Sequence, residues 1–229
     1  PPPPPPPPLF FFQPQPAKPD PLWSRWLGDV YKRQGPSGVG KTSIGKHLAD
    51  ILKCNFFSSG NVYRSLAMFI NKNIDKDYGK YDIEILDGIC YINKETYSSE
   101  DLYSNEVTIT SSKIAKEEKI RNYVKESLLK YYQSLDKSLV IEGRDMGSVV
   151  FQNAKYKIYL DADLITRGKR REDQSKMNET VSDLKKRDLE DSNRLISPLK
   201  VPDGALVINN TDLTLQETIN LIIEKLGLQ

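Results

Sequence analysis

Residues Gly35-Pro36-Ser37-Gly38-Val39-Gly40-Lys41-Thr42 complete the pattern G-x-x-x-x-G-K-[ST], and no other stretch restricts the possible folds as much. Its glycines allow a bend tight enough for successive backbone N–H groups to converge on an anion, and a helix beginning near Lys41 turns its positive dipole end toward the same point. Lys41 then reaches the outer phosphates of a nucleoside triphosphate, and the Thr42 hydroxyl is placed to hold Mg²⁺. An ordinary glycine-rich turn into a helix gives no reason for Lys to follow the last Gly. Such a loop leaves the carboxyl end of a buried parallel strand, which predicts an α/β, P-loop NTPase fold with an open parallel sheet and flanking helices.

A chain of 229 residues suffices for one domain with small inserted lobes. With 33 Lys and Arg against 31 Asp and Glu, the net charge of +2 argues against general nucleic-acid binding, so any cationic site has to be local. No apolar run is long enough to span a membrane. Cys54 and Cys90 lie far apart and lack metal-ligand spacing, which fits a reduced, cytoplasmic protein without structural zinc. His47 falls in a helical pattern without a partner motif and reads as a surface residue.

Residues 1–34 have no packing period. Eight prolines precede Leu9-Phe10-Phe11-Phe12 and a Gln-Pro run, a low-complexity composition compatible with polyproline II or disorder. Asp29-Val30-Tyr31-Lys32-Arg33-Gln34 back-translates as GAT GTG TAT AAG AGA CAG, which resembles the transposase end of sequencing-library adapters. The leader is therefore expected to be a non-native scar outside the fold, with the domain running from 35 to 229. A signal peptide does not fit, because the basic residues follow the apolar run. A strand before the loop should be near-continuously apolar, and Tyr31-Lys32-Arg33-Gln34 would bring two charges into it. The expectation is that the true first strand has been lost.

From Gly35 onward helices and strands alternate. Ile44, Leu48, Ile51 and Leu52 recur at helical spacing, Asn55–Ser58 reads as a short strand, and Val62, Leu66, Ala67 and Ile70 line a second helix. The alternation in Tyr81-Asp82-Ile83-Glu84-Ile85, with turn signals at Gly88 and Asn93-Lys94, predicts a small antiparallel insertion. One long helical tract is expected over 106–134, with Ile114, Ile120, Val124 and Leu128 inward. Strands are expected at 139–142, 156–160 and 205–208, a charged helical stretch from Arg167 to Glu190, and a last helix from near Asp212.

Three further clusters carry chemistry. Arg64, following Ser59-Gly60, can clamp a phosphate with its rigid fork or form a surface salt bridge. Glu142-Gly143-Arg144-Asp145-Met146-Gly147 closes a strand at the sheet edge where α/β folds bind ligands. There Arg144 can contact phosphates, and Asp145 can accept from an exocyclic amine or organise a metal shell; a turn-shaping Arg–Asp pair is the alternative. Arg167, Lys169, Arg170 and Arg171, then Arg187-Asp188, Asp191 and Arg194, read either as a solvated helix face or as the cations of a closing lid.

From Gly35 to about Leu226 the chain resembles the bacterial cytidylate kinases of the nucleoside monophosphate kinase family. The matching blocks are GPSGVGKTS at 35–43, SSGNVYRSLA at 58–67, EGRDMGSVVF at 142–151, KIYLDAD at 157–163 and KKRDLEDSNRLISPL at 185–199. The resemblance implies transfer of a phosphoryl group from Mg²⁺–ATP to CMP or dCMP, with Gly35 to Ser43 cradling the ATP phosphates and Arg167 and Arg170 acting on them from a lid over 166–186. It also implies that Arg64, Arg144 and Arg194 hold the acceptor phosphate, and that Arg187 and Asp191 contact its ribose. Ser112, Arg121 and Asp145 would read the cytosine with Ser59 close by. Lys41, Arg144, Asp145 and Arg187 are then the expected catalytic residues, and 74–107 the insertion on the monophosphate side. A carboxylate, an Arg and a hydroxyl match the N4 donor and the N3 and O2 acceptors of cytosine. A monomer is expected by the same analogy, with no nucleic-acid or membrane partner. Ser58 stands where the family commonly has Asp, Tyr103 where an Arg is usual, and Ser192 in place of a frequent lid Arg. Rival readings are an inert chimera that lacks its first strand and a kinase for a different acceptor.

Overall fold

The computed structural model describes residues 30–73, 81–174 and 180–228. The leader up to residue 29, and the parts of the expected insertion and lid at 74–80 and 175–179, lie outside the described residues.

Five parallel strands form one sheet in the order β2-β5-β1-β6-β7, with β1 Val30–Gln34, β2 Asn55–Ser58, β5 Leu139–Glu142, β6 Tyr156–Asp161 and β7 Leu206–Asn209. The strand preceding the phosphate loop is present, and the exclusion of residues 30–34 from the fold is corrected. β1 is the central strand: Val30 to Arg33 register with Leu139 to Glu142 on one side, and Tyr31 to Gln34 with Tyr156 to Tyr159 on the other. The physical reason is that a strand position is specified by two flanking ladders, which are main-chain bonds and do not depend on an apolar side-chain run. Val30 and Tyr31 are buried, the Tyr31 ring stacking on Tyr156 at 4.7 Å. Gln34 is buried with its amide satisfied: Nε2 donates to Lys200 O at 2.6 Å, and Oε1 accepts from Gly147 N at 3.2 Å. The loop therefore hangs from a strand paired on both sides.

Helix α1 (Lys41–Leu52) packs on the sheet through Ile44, Leu48 and Ala49, whereas Ile51, expected inward, is 50% exposed. Helix α2 (Ser59–Lys72) buries Val62, Leu66, Ala67 and Ile70 as its spacing predicts. A separate antiparallel hairpin of β3 (Ile83–Leu86) and β4 (Ile89–Ile92) turns on Asp87 and Gly88, both with positive φ, the geometry of a tight two-residue hairpin turn. A short helix, α3 (Ser99–Leu102), follows.

The single tract expected over 106–134 is two helices, α4 (Asn105–Ile114) and α5 (Glu118–Gln133). The break at 115–117 has a use, because the Ala115 carbonyl freed at the end of α4 accepts from Arg121 Nη1 at 2.7 Å. Ile114, Ile120, Val124 and Leu128 are all buried, as expected. The charged stretch is likewise two helices, α6 (Leu164–Gln174) and α7 (Val181–Ser192), the latter opened by a Thr180–Asp183 capping box. Helix α8 (Leu215–Leu226) begins near Asp212 as expected, its start set by the reciprocal cap that Thr214 and Glu217 form. Among the described residues no helix is long and apolar enough to cross a membrane.

Candidate active site

The phosphate loop joins β1 to α1. Gly38 and Gly40 take φ of 81° and 83°, left-handed values that disfavour a side chain, and a Cβ at Gly35 would stand 2.2 Å from Leu160 O. Protein donors occupy the loop's carbonyls. Lys41 Nζ donates to Pro36 O at 2.6 Å, Arg167 Nη1 to Ser37 O at 3.2 Å, and Asn210 Nδ2 to Val39 O at 3.1 Å. With carbonyls so engaged and α1 starting at Lys41, the loop offers the helix N-terminus to an anion. Burial, reinforced by the charge of Arg144, lowers the Lys41 pKa to about 7. Ser43 lies in the first turn of α1, where its carbonyl meets the ring of the exposed His47 at 3.0 Å.

Thr42 Oγ1 donates to Glu142 Oε1 at 2.8 Å. Glu142, the last residue of β5, is buried, and its Oε2 has no hydrogen-bond partner. Sequence reasoning passed over Glu142. The signal was an acidic residue closing an apolar strand, which matters only once β5 is known to lie beside β1. A hydroxyl next to a carboxylate with an uncommitted buried oxygen is a hard-oxygen donor set that fits Mg²⁺. Among the described residues no group of three or more His, Cys, Asp or Glu could hold a metal, so most ligands would have to come from phosphate and water.

Beside this loop the charged residues of three walls meet. Arg144, just past β5, pairs with Asp191 and approaches Asp188 Oδ1 at 3.9 Å; Arg194 approaches Asp191 Oδ1 at 3.4 Å. Arg167 of α6 pairs with Asp188 and donates through Nε to Ala162 O at 3.0 Å. Burial holds the pKa of both Arg144 and Arg194 below the usual guanidinium range, opposed by Asp191, and the charge of Arg187 adds to the lowering at Arg144. Arg194 Nε and Nη2 are buried without partners.

On the other side of the Arg144 turn, Asp145 and Arg121 form a buried ion pair, and Arg121 lies 5.8 Å from the centroid of the Tyr63 ring. Arg121 Nε is a further buried donor without a partner. Burial, then Asp145, raises the Tyr63 phenol well above its usual range. A π-helical turn over Met146–Val150 follows Asp145, and Gln34 ties it to β1 through Gly147. Uncommitted buried donors and acceptors are costly in a folded protein, and here they gather around the residues picked out from sequence.

Other expected residues sit differently. Arg64 donates to Leu102 O at 3.0 Å and Thr108 Oγ1 at 2.9 Å, and its guanidinium lies 4.4 Å from the Tyr103 ring centroid. The Tyr at 103 is thus a platform for the residue expected to hold the acceptor phosphate. Ser112 donates to Thr108 O at 3.0 Å. Ser59 is buried against Gly143, where a Cβ would stand 2.3 Å from its Oγ. Ser58 caps α2 without a side-chain hydrogen bond. Arg170 is engaged with Asn210 Oδ1 at 3.1 Å, Asn210 O at 2.8 Å and Leu213 O at 3.3 Å, which fastens α6 to the β7–α8 loop.

A parallel sheet ordered 2-5-1-6-7, with a phosphate loop after its central strand and converging arginines at its carboxyl edge, defines a P-loop kinase, a nucleotide-binding transferase. The family model for cytidylate kinase matches residues 33–227, and the chain belongs to that family. It is 33% identical over 206 residues to the cytidylate kinase of Thermosipho africanus, covering 83% of this chain and 90% of that one. To the cytidylate kinase of Clostridioides difficile it is 32% identical over 210 residues, covering 85% and 96%. Among solved structures, a shikimate kinase from Acinetobacter baumannii aligns with TM-score 0.47 at 13% identity, over 89% of this chain and 96% of that one.

Proposed function

We propose that this chain transfers the γ-phosphoryl group of ATP to CMP or dCMP, giving ADP and the nucleoside diphosphate, in cytoplasmic pyrimidine nucleotide metabolism. The observation that carries the reading is the buried Arg121–Asp145 pair at the sheet edge, because Asp145 offers an acceptor for the cytosine amine and Arg121 a donor for its ring acceptors. Ser112 and Ser59 complete that reading, Arg187 and Asp191 contact the ribose, and Arg64, Arg144 and Arg194 hold the acceptor phosphate. Residues 35–43 hold the donor phosphates, with Arg167 and Arg170 on the lid, 166–186, and the insertion 74–107 on the acceptor side.

The acceptor phosphate is itself an anionic nucleophile, so no strong protein base is required. Rate comes from alignment and from cations placed before the charge develops. Lys41 and Arg144 orient the transferring group, and Arg167, fixed to the loop at Ser37, brings the lid's charge to it. Thr42 and Glu142 would hold Mg²⁺, which when bound would neutralise negative charge on the donor phosphates. The protein acts as a monomer.

The test is coupled ADP release with ATP and Mg²⁺ against CMP, dCMP, UMP, AMP and shikimate in parallel. The reading requires CMP or dCMP to give the highest kcat/KM. Preference for AMP or shikimate overturns it.

A further inference from the structure

Asp188 lies on α7 between cations of separate elements. Its Oδ2 pairs with Arg167 of α6, and its Oδ1, buried without a hydrogen-bond partner, stands 3.9 Å from Arg144 at the sheet edge. Guanidinium groups from separate elements facing one point is the arrangement that stabilises a transferring phosphoryl group, yet here a carboxylate of the chain stands between Arg167 and Arg144. Glu190, two residues on, points elsewhere and bridges to Lys116 at 2.9 Å on the surface. The cations around Asp188 repel one another: Arg144 is disfavoured as a cation by burial and by Arg187 and Arg194, and Asp191, its ion-pair partner, and Asp188 oppose that lowering.

We propose that Asp188 is a resident counter-ion that occupies the place of the donor's terminal phosphates in the free protein, holding Arg167 and Arg144 in position and leaving as those phosphates arrive. Because Asp188 is carried on α7, phosphate entry moves that helix relative to the loop, and the carboxylate competes with the incoming anion for the same guanidinium groups. Asp188 is a positioning residue that acts through Arg167 and Arg144. The inference rests on the phosphate loop binding phosphates and is independent of the acceptor.

Inorganic tripolyphosphate, which has the donor's charge and no base or sugar, is the probe. Calorimetric titration should show Asp188→Asn binding it about tenfold tighter than the parent chain, the low end of the one to three decades by which a nearby opposite charge biases a buried ionic equilibrium. Asp188→Glu, which keeps the charge, should bind within about twofold of the parent, as should Glu190→Gln, which removes a charge from the surface of the same helix. Should Asp188→Asn be too unstable to titrate, thermal unfolding with and without tripolyphosphate reads the same quantity, with a larger stabilisation expected in the variant than in the parent. Equal or weaker binding by Asp188→Asn, an equal thermal shift, or the same gain in Glu190→Gln overturns the proposal. A kinase that prefers another acceptor leaves these results unchanged, so the two readings fail separately.

Discussion

Replacing Asp145 by Ala removes the carboxylate from a pair in which each side chain is 6% exposed, and leaves the Arg121 guanidinium in the interior with only the Ala115 carbonyl at 2.7 Å as acceptor. Stranding one member of a buried pair costs about 3–5 kcal/mol. For a domain of this size, each kcal/mol lowers Tm by about 2–4 °C, so the loss should be about 6–20 °C. Asp145→Asn keeps an acceptor oxygen but still leaves the Arg121 charge uncompensated, so it should cost less than Asp145→Ala without being neutral. The double variant Arg121→Met with Asp145→Leu removes both charges and should recover most of the stability, since apolar replacement of a buried pair is often neutral or stabilising. Urea titration of the parent, Arg121→Met, Asp145→Leu and the double variant closes a double-mutant cycle and gives the coupling energy. The double variant should nevertheless fail to bind CMP, which separates the pair's recognition role from its effect on stability. An Asp145→Ala protein destabilised by less than about 1 kcal/mol would refute the reasoning, because the pair would then be behaving as an exposed one.

At pH 8 a Lys41 with pKa about 7 is mostly neutral in the free protein, and phosphate oxygens favour its ammonium form, so ATP binding should take up about 0.9 proton. Calorimetry in buffers of different ionisation enthalpy reads that number, Lys41→Arg should abolish it, and zero uptake by the parent contradicts the assignment. The same lowering makes stability rise with pH between about 7 and 10.5, where the unfolded chain holds more protons. Gly35→Ala cannot be absorbed by a side-chain rotation, because its Cβ would meet a backbone oxygen at 2.2 Å; loss of ATP binding and a lowered Tm are expected, and parent-like binding contradicts the close approach. Gln34→Leu leaves the Lys200 carbonyl and the Gly147 N–H without their partner at a cost of about 1–3 kcal/mol, to be read from denaturant midpoints. Glu142→Gln should raise the Mg²⁺ concentration for half-maximal rate by about 10–100-fold, an outer-partner effect at least, with the fold intact by circular dichroism.

Much of the site was legible along the chain because it is built from local signals. The phosphate loop, the Arg144-Asp145 turn after β5 and the cations of α6 and α7 each occupy a few consecutive residues whose spacing dictates their local geometry. The core faces of α2 and α5 were equally plain from their period. Glycine φ values, helix caps and apolar stripes are short-range properties, so the sequence alone determined the loop, the alternation of strand and helix, and the types of charge at the sheet edge. Only the tertiary structure decided which strand fills the centre of the sheet, because pairing is a main-chain property and β1 is accepted for its two ladders and the satisfied amide of Gln34, despite its polar composition. Likewise, only folding sets Glu142 against Thr42, frees the Ala115 carbonyl for Arg121, and brings Asp188 between Arg167 and Arg144, since those contacts join residues far apart in the chain and depend on strand order.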